Sequence, residues 1–378
     1  MNHQKKLLIV GASVRELVQL AIESRFDVQG IDLFADRDSQ TCSNVHKVGG
    51  FEDVPALTKT IDYDHCILTG GIENHSAVIR QLADTRIRGC GVECLATLAD
   101  SYGIIRHWES HEIAVPETRF ELNSDQAGTS GWLVKRRWSC GGNSIVALPA
   151  QAVGDTGNQE DHFIQKFVPG GCYSAIVFYE ESRFEVLGVS RQLTGQLELT
   201  HNRFAYCGSL GPLPLSPEIE LQLATIAQSL VSVQPRGFVG IDFVLDNGTV
   251  WPLEVNPRIT ASMPMHLKGS GVDLIESQIA GRLIRDRECD IAVPVCYGKA
   301  ILFNLDEAEL KITGEFSDWA MGESEWLGDI PFAGTSILPQ SPILTTFNRG
   351  HSLPAVEAQL FAQVKRVREQ VQRTTIRV

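Results

Sequence analysis

Residues 240–262 read GIDFVLDNGTVWPLEVNPRITAS, and the fold turns on this stretch. Asp246-Asn247-Gly248 separates two strand-like runs, GFVGIDFVL (237–245) and TVWPLEV (249–255), the pattern of a tight hairpin. Side chains alternate faces along a strand, so Glu254 and Asn256 point the same way, and the hairpin brings Asp242 opposite them. Two carboxylates and an amide oxygen on one face are hard oxygen ligands. Such a set suits magnesium, which leaves its remaining positions to phosphates and water. Arg258, just past Pro257, adds a fixed cation suited to a developing phosphoryl charge. The competing reading is an ordinary hairpin with solvent-facing acids; the attached Asn-Pro-Arg tips the balance toward a metal site.

This segment resembles the metal-binding hairpin of ATP-grasp enzymes, an acid followed about twelve residues later by Glu-x-Asn and often Pro-Arg. Two further parts expected by that family occur in the right order. LVKRRWSCGGNSI places Lys135 at a strand end before Ser139, Gly141 and Gly142. A lysine there neutralises phosphate charge, and glycines let backbone N–H groups approach the oxygens. FIQKFVPGG then resembles the hinge strand, where Gln165, Lys166 and the backbone at Phe167–Val168 would contact adenine. The resemblance implies ATP and two magnesium ions (or manganese in their place), with Lys135 and Arg258 as catalytic groups and Asp242, Glu254 and Asn256 as metal ligands. It further implies ligation of a carboxylate to an amine through an acylphosphate, on an amino acid or small cofactor precursor. The layout is similar to carbamoyl-phosphate-synthase-like and tyramine–glutamate-ligase-like members. Two departures stand out. Ala99-Asp100-Ser101-Tyr102 lacks the lysine that often precedes the central domain, and Gly171-Cys172 stands where many members carry a ribose-binding acid. They leave open a nucleotide-binding module without turnover.

The rest of the chain fits a three-part α/β and α+β layout. KLLIVG (6–11), VQGIDLF and DHCILTGG (64–71) alternate with helical patterns, predicting a Rossmann-like parallel sheet over about 1–95. A helix is expected from Ala99 to Val115, stopped by Pro116, opening a central nucleotide- and metal-binding domain over 96–290. Residues 291–378 form a β-rich segment, with KAILFNL and ILTTF, closing on the amphipathic helix LPAVEAQLFAQVKRVREQVQR.

The chain has 378 residues and a formal charge of −13, from 33 Lys+Arg against 46 Asp+Glu. That balance argues against nucleic-acid and anionic-membrane partners and favours small-molecule substrates, with self-association left open. Nine dispersed cysteines without a CxxC pair read as reduced thiols in a cytoplasmic protein. The loop GASVRE suggests a dinucleotide fingerprint with Asp32 downstream, but Ser13 and Glu16 occupy two of its glycine positions. A nicotinamide oxidoreductase is therefore the weaker alternative. Gly70-Gly71 before Glu73 could seat a substrate group, or Glu73 could simply complement a helix dipole. Arg191, His201 and Arg203 lie between hinge and hairpin and are candidates for substrate binding. His107 and His111 share a helix face, but HWESH is not HExxH and reads as a solvated face.

Overall fold

The computed structural model describes residues 4–82, 86–120, 131–148, 161–268, 270–285 and 295–378. Strands β1 (Lys6–Val10), β2 (Asp27–Asp32), β3 (Asn44–Lys47), β4 (His65–Leu68) and β5 (Ile87–Arg88) form a parallel sheet in the order β3-β2-β1-β4-β5. Helices α1 (Arg15–Glu23), α2 (Arg37–Cys42), α3 (Val54–Thr58) and α4 (Ser76–Gln81) connect them. Leu7 to Val10 are almost wholly buried, as a strand covered on both faces requires, which is why β1 reads as an unbroken apolar run. The Rossmann-like reading of the first part therefore holds. The short elements β3, α2, α3 and β5 carry too little periodicity to be seen in sequence.

Next come α5 (Val92–Ala99) and α6 (Ser101–Ser110), which correct the expected helix from Ala99 to Val115. Asp100 caps the second helix, its side chain accepting from Gly103 N at 3.1 Å. The helix then stops at Ser110, short of Pro116, with Glu112 in the left-handed region at φ 56°. His107 faces the end of the neighbouring helix, its Nε2 3.0 Å from the Ser229 carbonyl. The run FELNSDQ (120–126) lies outside the described residues from 121 onward.

Strands β6 (Thr118–Arg119), β7 (Trp132–Arg136), β8 (Val146–Ala147) and β9 (His162–Lys166) form a small antiparallel sheet in the order β6-β9-β7-β8. Its own core is modest: Trp132, Val134, Leu148 and Ile164. Opposite it stands the large antiparallel sheet. It begins with β10 (Gly171–Glu180), β11 (Arg183–Thr194) and β12 (Tyr206–Gly211). After helix α7 (Pro217–Leu230) it continues with the hairpin β13 (Gly237–Asp246) and β14 (Thr249–Asn256). Tyr179 Oη donates to the Ala227 carbonyl at 2.9 Å, tying β10 to α7.

After α8 (Met263–Leu267) and α9 (Leu274–Ala280), the C-terminal part adds β15 (Cys296–Phe303), β16 (Leu310–Lys311), α10 (Gly314–Gly322), β17 (Leu327–Gly328), β18 (Ser336–Ile337), β19 (Pro342–Gly350), α11 (Leu353–Thr374) and β20 (Ile376–Arg377). Its main strands do not form a separate layer. The large sheet runs β14-β13-β10-β11-β12-β15-β19-β17, so the tail extends the central sheet beyond β12. In α11, Val356, Leu360, Val364, Val367 and Val371 are buried at helical spacing and share one core with β12, β15 and β19. No helix among the described residues is long and apolar enough to cross a membrane.

Candidate active site

A cavity of about 520 Å³ opens between the small and large sheets and reaches the loops of the first domain. That is an ordinary size for a small-molecule site. Its floor is the hairpin. Asn247 and Gly248 both take positive φ (47° and 80°), the two-residue turn that matches strand twist. In plain register that turn would set Asp242 against Leu253 and turn Glu254 to the other face. Instead the register shifts between Asp242 and Phe243, leaving Leu253 as an extra residue beside Pro252. Pro252 has no N–H to give the ladder, and a bulge beside it costs little. The bulge puts Glu254 directly opposite Asp242 and Asn256 opposite Gly240, all on the cavity side.

Here the three residues meet. Asn256 Nδ2 donates to Asp242 Oδ2 at 3.1 Å, while Asp242 Oδ1 is buried with no hydrogen-bond partner. Burial, with the Asp242 carboxylate second, pushes the Glu254 carboxyl up to about 7; Lys135 works in the opposite direction. Two half-buried carboxylates with one buried, orphaned oxygen are an unsatisfied arrangement that a divalent cation would satisfy. Among the described residues, no group of three or more His, Cys, Asp or Glu could hold a metal by itself. The hairpin set therefore fits a cation that takes part of its coordination from phosphate and water.

Arg258 is anchored on the same wall. Its Nε donates to Glu73 Oε1 at 2.6 Å and its Nη2 to Asn256 Oδ1 at 3.2 Å. Burial tends to lower the guanidinium, but Glu73 foremost, with Cys140 and Asp242, more than offsets it and the net direction is up. Glu73 sits in a short 3-10 turn, Ile72–Asn74, which is no helix terminus able to seat an anion; the carboxylate serves Arg258 instead. The first domain is fastened here by Thr69, whose Oγ1 donates to the Ile259 carbonyl at 3.0 Å.

Over the floor lies the small sheet. Lys135 on β7 is buried, and its Nζ donates to Gln165 Oε1 on β9 at 3.2 Å. Burial lowers this ammonium, partly countered by Glu254 and Asp242. Gly141 and Gly142 line the cavity, and Tyr206 N–H donates to the Gly141 carbonyl at 2.9 Å. At Gly142, with φ 73°, a Cβ would stand 2.0 Å from the Phe204 carbonyl oxygen, so only glycine closes this loop. Ser139 is not among the lining residues; its neighbour Cys140 is, with a thiol pushed up to about 11 by burial and then by Glu73.

The hinge is partly committed. Gln165 Nε2 donates to Thr118 Oγ1 at 3.1 Å, and the N–H groups of Lys166 and Phe167 bond the carbonyls of Glu117 and Gly131 at 2.8 Å each. Phe167 and Val168 follow the strand and line the cavity, Phe167 with its N–H already bonded. Arg203 reaches the cavity from an exposed position, its guanidinium 5.4 Å from the Phe167 ring centre. Arg191 and His201 do not line it: Arg191 pairs with Glu357 at 2.6 Å, and His201 lies 3.2 Å from the Leu305 carbonyl. Where the family's lysine is missing, Asp100 pairs with Arg137, whose Nε is 3.0 Å away.

The oxidoreductase alternative meets an obstacle at Asp32. Its carboxylate accepts from the backbone N–H groups of Val14, Phe34 and Ala35 at 2.7, 2.6 and 2.8 Å and is 1% exposed. Buried and committed to its own loop, this carboxylate is closed to a ribose. Sequence reasoning missed Lys299, Arg15 and Asp329, which also line the cavity; a lysine inside the apolar run KAILF was the available signal.

Residues 98–262 match the ATP-grasp domain family. That segment is an ATP-grasp domain. Solved structures extend the likeness to the whole ATP-grasp layout. N5-carboxyaminoimidazole ribonucleotide synthetase from Thermotoga maritima is 16% identical with a TM-score of 0.64, covering 96% of this chain and 98% of that one. L-amino acid ligase from Bacillus licheniformis is 14% identical at 0.66, covering 100% and 99%. Biotin carboxylase from Campylobacter jejuni is 13% identical at 0.69, covering 94% and 89%. At these identities the likeness establishes the shared fold.

Proposed function

We propose that this ATP-grasp protein is an ATP-dependent carboxylate–amine ligase acting on an amino acid or small cofactor precursor. The observation that carries the reading is the convergence of Asp242, Glu254 and Asn256 on one cavity face, with Arg258 bound to the same asparagine. A carboxylate oxygen of the substrate attacks the γ-phosphorus, ADP leaves, and the amine then displaces phosphate from the acylphosphate, losing its proton as the amide forms. Magnesium held by Asp242, Glu254 and Asn256 would offset the charge of the phosphate oxygens. Lys135 and the Gly141–Gly142 loop cover the phosphates, and Arg258, oriented by Glu73, faces the transferring group. Catalysis in such a site is mostly positioning and charge neutralisation. The names of similar structures support nucleotide use: one synthetase is an ADP complex, and a biotin carboxylase domain was crystallised with magnesium ADP and bicarbonate.

The test is magnesium-dependent ADP release against a panel of carboxylates and amines. Release that depends on a carboxylate and yields an amide product supports the reading. Tight nucleotide binding with no release on any pair contradicts it and favours a binding module.

A further inference from the structure

Where the first domain meets the C-terminal strands, the cavity wall carries charged side chains that the phosphate chemistry leaves unused. Glu16, in the first turn of α1, and Lys299, in β15, both line the cavity. Lys299 Nζ donates to Glu16 Oε2 at 2.9 Å and to the Ala261 carbonyl at 3.2 Å, which leaves one of its three N–H donors over. The lysine is 5% exposed, whereas the Glu16 side chain keeps 22% of its surface and can be reached. Burial tends to lower the Lys299 ammonium, but Glu16, Tyr206 and Asp329 together outweigh it, and the net direction is up. Lys299 therefore stays ionised around neutral pH.

A second pair holds this corner in place. Arg15 Nε donates to Asp329 Oδ1 at 2.9 Å, and Thr345 Oγ1 donates to Asp329 Oδ2 at 2.5 Å. Arg15 Nη2 is buried without a partner, and the residue is 5% exposed. Two cations and two carboxylates thus line this part of the wall, and the buried Asp38 stands behind them, 3.5 Å from Arg15 Nε. Paired opposite charges at the surface of the cavity give no general preference for an anion or for a cation. An anion alone would take Lys299 and leave the Glu16 carboxylate unpaired; a cation alone would do the reverse. Either exchange leaves one charge unpaired, the buried Lys299 or the half-buried Glu16, which is unfavourable. A ligand with both charges a short distance apart replaces both partners in one step.

We propose that the Glu16–Lys299 pair recognises a zwitterionic α-amino acid, its carboxylate taking Lys299 and its ammonium Glu16, with Arg15 and Asp329 as positioning residues. The chemistry of the bound amino acid rests on the ligase reading, and the pair narrows the substrate class to amino acids free at both ends.

The experiment is calorimetric titration of the full chain with the common L-amino acids, alone and with magnesium plus a non-hydrolysable ATP analogue. Each amino acid that binds is repeated as its N-acetyl and its carboxamide derivative. Free forms should bind, and either blocked form should bind about 30-fold more weakly or worse, because one charge is left unpaired. Lys299→Met and Glu16→Gln should each weaken the amino acid about tenfold or more while moving the analogue's affinity less than about threefold. The double variant, which strands neither charge, guards against a folding defect in the single ones and should bind free and blocked forms alike. Equal binding of blocked and free forms by the wild type overturns the proposal, as does binding of no amino acid in either state. Failure of the ATP analogue to bind would sink the ligase reading instead, and the titration without nucleotide would still decide the Glu16–Lys299 site.

Discussion

Glu254 shows what a single residue adds to this site and what it costs the metal-free protein. Its carboxyl is pushed up to about 7, so between about 4.5 and 7 the folded chain holds a proton that the unfolded chain has released. Stability then falls as pH rises through that window. His266 works the other way: burial lowers it to about 4, so its contribution rises with pH between about 4 and 6.5. The difference between wild type and Glu254→Gln isolates the glutamate. Denaturant melts of metal-free protein should find the variant the more stable of the two at pH 8, with the gap closing by pH 4.5; a gap that widens toward acid contradicts the burial of this pair. Glu73 makes the opposite case. Glu73→Ala leaves the buried Arg258 guanidinium without its carboxylate and should cost about 3–5 kcal/mol in the same melts. An exposed pair would cost about 1 kcal/mol or less, so a loss that small would place Arg258 in solvent.

At the scale of elements, the hairpin was legible in sequence because Asn-Gly between two strand-like runs allows few other structures. What sequence did not disclose is the bulge at Leu253. Counting outward from the turn pairs Asp242 with Leu253, and only an extra residue restores the acid–acid pairing. Pro252 was the local sign, a residue out of place in an unbroken ladder. Gly248→Ala meets no atom within 4 Å, so its cost is the left-handed backbone alone, about 1–2 kcal/mol. Thermal melts should show that loss with magnesium and nucleotide affinity unchanged; a loss of affinity would mean that the turn touches the site. The helix expected up to Pro116 failed for a similar local reason. Asp100 starts a fresh helix by capping Gly103, and Glu112 leaves helical geometry before the proline is reached.

For the whole molecule, the order of parts along the chain carried the fold, while the joining of those parts did not appear in it. β15 and β19 read as a separate β-rich tail, yet they extend the central sheet because β12 offers them an open edge. The charged corner of Arg15, Glu16, Lys299 and Asp329 was equally hidden, since its members lie more than 280 residues apart in pairs such as Lys299–Glu16. The helix that covers the tail should matter for stability rather than chemistry. Leu360 is fully buried, and Leu360→Ala should cost about 2–5 kcal/mol without changing nucleotide affinity. Bound magnesium nucleotide should stabilise the whole chain by mass action, about 2.7 kcal/mol at a hundredfold excess over Kd. The most direct test of the metal face is a titration of ATP into wild type and Glu254→Gln with and without magnesium. Magnesium should tighten nucleotide binding to the wild type and have little effect on the variant; equal tightening of both would show that the metal is held elsewhere.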